Sequence, residues 1–182
     1  FAGALGVLAP ERARHYVAFA SGSGITPVLS LARTTLAREP RSRFTLVYGN
    51  RRQSSVMFHE ALEDLKDRYL TRFRLFNVFS RETQDVELFN GRIDAAKVRQ
   101  FLDTLIPVAG IDEAFVCGPS SMIDEAEGAL LAAGVPRGHV HVERFGVPSD
   151  TPGMAFDDAE AAEAKLTLII DGVQRYVYFH RG

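Results

Sequence analysis

The sequence of 182 residues predicts an α/β fold: an open, five-stranded parallel sheet with helices on both faces. Three observations carry this expectation. Strand-like and helix-like segments alternate from residue 15 to residue 145. The strand-like segments are rich in Val, Phe, Leu and Tyr, as strands with two buried faces are. The last helix-like segment stops at Gly134 with Pro136 just beyond, the punctuation that ends a helix.

The elements follow in order. Tyr16–Ala20 is β-branched and aromatic and reads as a buried strand. It breaks at Ser21–Gly22–Ser23–Gly24–Ile25–Thr26, after which Pro27–Arg38 reads as a helix. Phe44–Tyr48 is the second strand, Phe58–Tyr69 the second helix, and Phe73–Phe79 the third strand. Ala95–Leu105 is helical, Glu113–Cys117 extended, Ser120–Ala133 helical and His139–Phe145 extended. A domain over residues 1–145 is therefore expected. Residues 146–164 carry Pro148, Pro152, Gly153 and an Asp/Glu/Ala run without apolar period, which reads as a linker. In residues 165–182, Lys165–Ile170 and Val173–Phe179 flank Asp171–Gly172, a strong hairpin signal. A lone hairpin is marginal in water, so this one reads as the opening of a truncated second domain.

Composition narrows the function. Apolar residues make up 46% and charged residues 24%, the balance of an ordinary globular chain. The net charge of −2, with scattered Lys and Arg, gives no nucleic-acid surface. No apolar run is long enough to span a membrane, and no signal segment opens the chain. The single cysteine, Cys117, leaves no internal disulfide and no cysteine-built metal cluster within these residues, and fits a reducing, cytoplasmic setting. No metal ligands are assigned. The chain begins at Phe1 without a methionine and is expected to be a fragment.

The glycine corner is where chemistry is expected. A strand turning sharply into a helix leaves helix amides unpartnered, and these with the helix dipole favour a phosphate. Gly22 and Gly24 are expected to let the backbone approach a pyrophosphate, with Thr26 as N-cap and Pro27 as first helical residue. The dinucleotide fingerprint with a third glycine and a downstream carboxylate is absent: Pro27 takes the glycine's place, and the second strand ends in Tyr48–Gly49–Asn50–Arg51–Arg52. Arginines there attract a 2′-phosphate that a carboxylate would repel. Ser80–Arg81–Glu82 adds a hydroxyl and a guanidinium at the next strand end, and Cys117–Gly118–Pro119 closes the fourth strand on the same rim.

Five motifs in this order, Gly22–Pro27, Tyr48–Arg51, Ser80–Glu82, Cys117–Pro119 with Met122, and His141–Phe145, resemble the pyridine-nucleotide lobe of the ferredoxin–NADP reductase superfamily. The resemblance implies that Gly22, Ser23, Gly24, Ile25 and Thr26 line the pyrophosphate. It implies that Arg51 and the Ser80–Arg81 pair hold the adenosine 2′-phosphate of NADPH, with Ser54 and Ser55 as helpers. Cys117, with Gly118 and Pro119, would lie at the nicotinamide, and Glu143 and Phe145 at the flavin, with Cys117 and Glu143 as the catalytic pair. The linker and hairpin resemble the start of a [2Fe–2S] ferredoxin domain. The implied activity passes hydride from NADPH to FAD, then electrons through the cluster to an oxygenase component. The flavin barrel and the cluster cysteines are expected outside these residues, so that this fragment binds only the nucleotide and is inactive alone.

Two alternatives stand beside this reading. An NADH-dependent reductase of another multicomponent oxygenase differs chiefly at Arg51. A non-catalytic NAD(P)-sensing module differs in having no flavin barrel upstream of Phe1.

Overall fold

Alternate residues of the first strand, Tyr16, Ala18 and Ala20 against Val17 and Phe19, fall into two separate apolar clusters, one on each face of a sheet. The computed structural model describes Phe1, residues 8–144, and the backbones of Glu163–Ile170 and Val173–His180. Its strands are β1 (His15–Ser21), β2 (Arg43–Asn50), β3 (Phe73–Phe79), β4 (Glu113–Gly118) and β5 (Val140–Arg144). They form one parallel sheet in the order β3-β2-β1-β4-β5. Between them run α1 (Ile25–Arg38), α2 (His59–Arg68), α3 (Ala95–Thr104) and α4 (Ser120–Ala132).

The two-faced burial explains the unbroken apolar strands. Leu29, Ala32, Leu36, Leu62 and Leu65 of α1 and α2 cover one face, with Phe44 and Phe115. Val98, Phe101, Leu102, Ile123, Ala126 and Leu130 of α3 and α4 cover the other. Each fully buried large side chain contributes about 1.5–3 kcal/mol. At the amino edge of the sheet, away from the expected site, the buried Glu39 carboxylate accepts hydrogen bonds from Tyr16 (2.8 Å) and Ser42 (2.7 Å). Arg72 donates to the carbonyls of Leu36, Glu39 and Ser42 and ties α1 to β2 there.

Most boundaries fall within a residue or two of expectation, and the exceptions have physical reasons. Helix α1 starts at Ile25, not Pro27: a short 3-10 turn over Gly22–Gly24 already winds the chain, and Gly24 holds the N-cap position. Thr26 is therefore no N-cap and Pro27 sits third in the helix, still in the first turn, where its missing N–H costs nothing. Helix α2 starts one residue later than expected, because Phe58 takes a left-handed conformation (φ 57°) at its N-cap. Helix α4 ends as expected, with Gly134 at φ 99° and its N–H bonded to the Leu131 carbonyl.

The chain divides into two units, Phe1–Gly146 and Val147–Gly182. In the second, β6 (Glu163–Ile170) and β7 (Val173–His180) pair antiparallel as a two-stranded sheet. Strand β6 begins inside the stretch expected as linker. The Asp171–Gly172 turn and Phe145 lie outside the described residues.

Candidate functional site

Parallel registry brings the functional motifs to one edge. Ser21 of β1 lies opposite Gly49 of β2, Asn50 of β2 opposite Phe79 of β3, Ala20 of β1 opposite Cys117 of β4, and Cys117 opposite Glu143 of β5. All five strands thus deliver their carboxyl ends to the same rim, where ligands of open α/β sheets sit.

The glycine corner turns on backbone geometry. Ser21 is extended, and Gly22 then takes φ +54°, the left-handed region that favours glycine. Gly24 also has a packing reason to be glycine. A Cβ there would overlap the Cys117 carbonyl and come within 2.9 Å of the Gly118 nitrogen. Gly24 is what lets the corner press against β4. At Gly118 a Cβ would meet Met122 Sδ at 3.0 Å and Ser21 Cβ at 3.3 Å, so these side chains pack closely against its backbone. No side chain among the described residues caps α1, and its first turn holds no acidic residue. The Tyr48 hydroxyl donates to the Gly22 carbonyl (3.0 Å), and Ser21 Oγ donates to the Gly49 carbonyl (3.1 Å). Burial pushes the Tyr48 pKa up, keeping this donor protonated.

The two arginine-bearing loops are joined. The Ser80 amide donates to the Asn50 carbonyl (3.0 Å) and the Arg81 amide to the Arg51 carbonyl (2.9 Å), extending the β2–β3 ladder past the strands. Arg51, Arg52 and Arg81 are exposed, and Ser80 is half-buried. Ser54 is exposed in the following 3-10 turn, while Ser55 serves that turn: its Oγ accepts from the Arg52 amide and donates to the Arg52 carbonyl. The Gln53 amide donates to Glu82 Oε2 (3.0 Å).

At the other end of the rim, the Cys117 side chain is fully buried and belongs to the core on the α1–α2 face. Burial first, then the Glu143 carboxylate, push its pKa up to about 11. Cys117 therefore presents a neutral thiol and no nucleophile. Glu143 is half-buried. Arg144 bridges to Asp124 of α4 at 2.6 Å and holds the end of β5 to that helix.

These positions form an open rim. A cleft of about 130 Å³ lies nearby between Gln53, His59, Leu75 and Gln84, and another of about 240 Å³ lies between α1 and α2. Neither is lined by a residue expected at the site.

Residues 19–128 match the model of the oxidoreductase NAD-binding domain. The chain belongs to this family. The chain is 46% identical over 167 residues to a subunit of 1,2-phenylacetyl-CoA epoxidase from Escherichia coli, covering 92% of the chain and 47% of the relative. It is 34% identical to the ferredoxin reductase component of 3-ketosteroid-9-alpha-monooxygenase from Mycolicibacterium smegmatis, covering 91% of the chain and 45% of the relative. The chain thus spans about half the length of the curated relatives it matches. Among solved structures, the Amycolatopsis cytochrome P450 reductase GcoB superimposes with a TM-score of 0.63 at 22% identity, over 74% of this chain and 38% of that one. Ferredoxin-NADP+ reductase from Plasmodium falciparum does so with a TM-score of 0.57 at 19% identity, over 75% and 53%. These likenesses show the NAD-binding domain's fold.

The expected site residues from Gly22 to Glu143 thus all lie at the carboxyl rim of the domain. The sequence reading missed the Tyr48 and Ser21 hydroxyls that pin the corner, and Glu82. No spacing rule pairs a side chain with a carbonyl or amide more than twenty residues away, as these three bonds do.

Proposed function

We propose that this domain binds NADPH and serves an electron-transfer oxidoreductase that moves hydride to FAD and electrons through a [2Fe–2S] centre to an oxygenase, phenylacetyl-CoA epoxidase. The observation that carries the nucleotide choice is the joined pair of loops bearing Arg51 and Ser80–Arg81. Two guanidiniums and a hydroxyl on one rim suit a phosphate dianion, and an arginine can meet it with two parallel hydrogen bonds. Gly22 to Thr26, at an uncapped helix start, suit the pyrophosphate. Cys117 and Gly118, with Pro119, would face the nicotinamide. The thiol contributes shape there and no thiolate, and the redox chemistry belongs to the cofactors. Glu143, and Phe145 beyond it, would face the flavin.

The flavin and cluster roles come from the motif resemblance, since the one cysteine cannot ligate a cluster within these 182 residues. They would reside in further parts of a longer protein, with the hairpin β6–β7 as the start of a ferredoxin-like domain. An oxygenase component is the proposed electron acceptor, and the compartment the cytoplasm.

Calorimetric titration with 2′-phospho-AMP and with AMP tests the nucleotide reading without flavin. The phosphorylated ligand is expected to bind more tightly. Arg51→Ala or Arg81→Ala is expected to remove about ten- to a hundredfold of that advantage, the worth of one hydrogen bond to a charged group. Equal binding by the unaltered chain would favour an NADH-dependent reductase. No binding of either ligand by folded protein would leave the corner a structural turn.

A further inference from the structure

The rim expected to receive a 2′-phosphate contains a carboxylate, Glu82, directly after Ser80–Arg81. On charge alone it is out of place, since it offsets one of three arginines and repels the ligand. Its hydrogen bond explains it. The β2 and β3 loops are laced by two main-chain bonds, Ser80 to Asn50 and Arg81 to Arg51, and no main-chain bond among the described residues continues the series. Glu82 Oε2 reaches across instead and accepts from the Gln53 amide at 3.0 Å. On the same turn, Ser55 Oγ accepts from the Arg52 amide at 3.0 Å. Consecutive amides that follow Arg51 are therefore held, one within its own turn and one from the opposite loop.

We infer that Glu82 is a positioning residue for coenzyme selectivity. Its side chain supplies a third rung between the loops and fixes the turn on which Arg51 and Arg52 stand, so that those guanidiniums and Arg81 face one phosphate. This rests on the proposed NADPH reading. Holding a long, exposed arginine against its rotamer freedom costs free energy on binding, and a preset backbone lowers that cost.

Two conservative variants separate reach from charge. Glu82→Asp keeps the charge but is a methylene short of the Gln53 N–H, whereas Glu82→Gln keeps an acceptor of full length and loses the charge. Each is titrated beside the unaltered chain with 2′-phospho-AMP and AMP. Glu82→Asp is expected to lower the preference for the phosphorylated ligand about three- to tenfold, with AMP affinity unchanged within about twofold. Glu82→Gln is expected to keep or exceed the original preference. An unchanged preference in Glu82→Asp overturns the inference, as does an equal loss of both ligands, which marks a purely structural tie. If the unaltered chain shows no preference, the NADPH reading and this inference fall together. If it shows one that Arg51→Ala removes and Glu82→Asp leaves intact, only the clamp falls.

Discussion

A thiol at the end of a strand is either a reagent or a filler, and its surroundings decide which. Cys117 ends a strand at the ligand rim, and its place in Cys117–Gly118–Pro119 was legible in the sequence. Its chemistry was not, because desolvation depends on what packs over it. With no exposed surface and a pKa of about 11, Cys117 holds about one thiolate in a thousand at pH 8. Iodoacetamide at that pH is therefore expected to label the folded chain at least a hundredfold more slowly than the chain unfolded in urea. Comparable rates, followed by mass spectrometry, would show that the pocket opens. The same limit hid Glu82. Its acidic character was readable, but the amide it serves lies 29 positions away.

At the scale of the element, the strand–helix corner is legible in the sequence, and its packing is not. The two glycines are not equivalent. Gly22 needs its left-handed φ of 54° and has open space where a Cβ would go. Gly24 has an ordinary helical backbone (φ −60°) and no space at all, because the Cys117 backbone abuts it. The substitutions should therefore differ. Gly22→Ala is expected to cost about 1 kcal/mol, the penalty of a left-handed alanine. Gly24→Ala must push backbone from backbone and is expected to cost about 3 kcal/mol, the upper part of the range for overpacking. Urea midpoints of the two variants check the order, and the reverse order would refute the contact. Thr26 and Pro27 lie deeper in the helix than their residue types predict. Residue preferences for helix starts do not register a 3-10 turn that begins the winding early.

For the whole molecule, alternation of strands and helices was enough to predict a parallel sheet with two covered faces, since no other packing hides such apolar strands. Global stability carries a further signature. His15 is 7% exposed, with Nδ1–H donating to the Gly110 carbonyl (3.1 Å) and Nε2 accepting from Thr45 (2.8 Å). Burial, then the charge of Arg43, lower its pKa from 6.5 to about 4. The unfolded chain therefore binds this proton first, so stability is whole above pH 6.5 and drains as pH falls toward 4. Between pH 7 and pH 5 the loss from this one ring is about 2 kcal/mol. Urea unfolding at both values should show it, and His15→Gln should have a flatter profile. An equal slope in the variant would assign the acid sensitivity elsewhere. The strand order has one more consequence, for synthesis on the ribosome. Strand β1 lies between β2 and β4, and His15 bonds to Asp112 across 97 positions. At about 5–20 residues per second, one edge of an almost wholly apolar strand waits about 5–20 s for its neighbour to be made. Through that interval the nascent chain presents a sticky seam, and the Gly24 corner has no wall to lean on until β4 emerges.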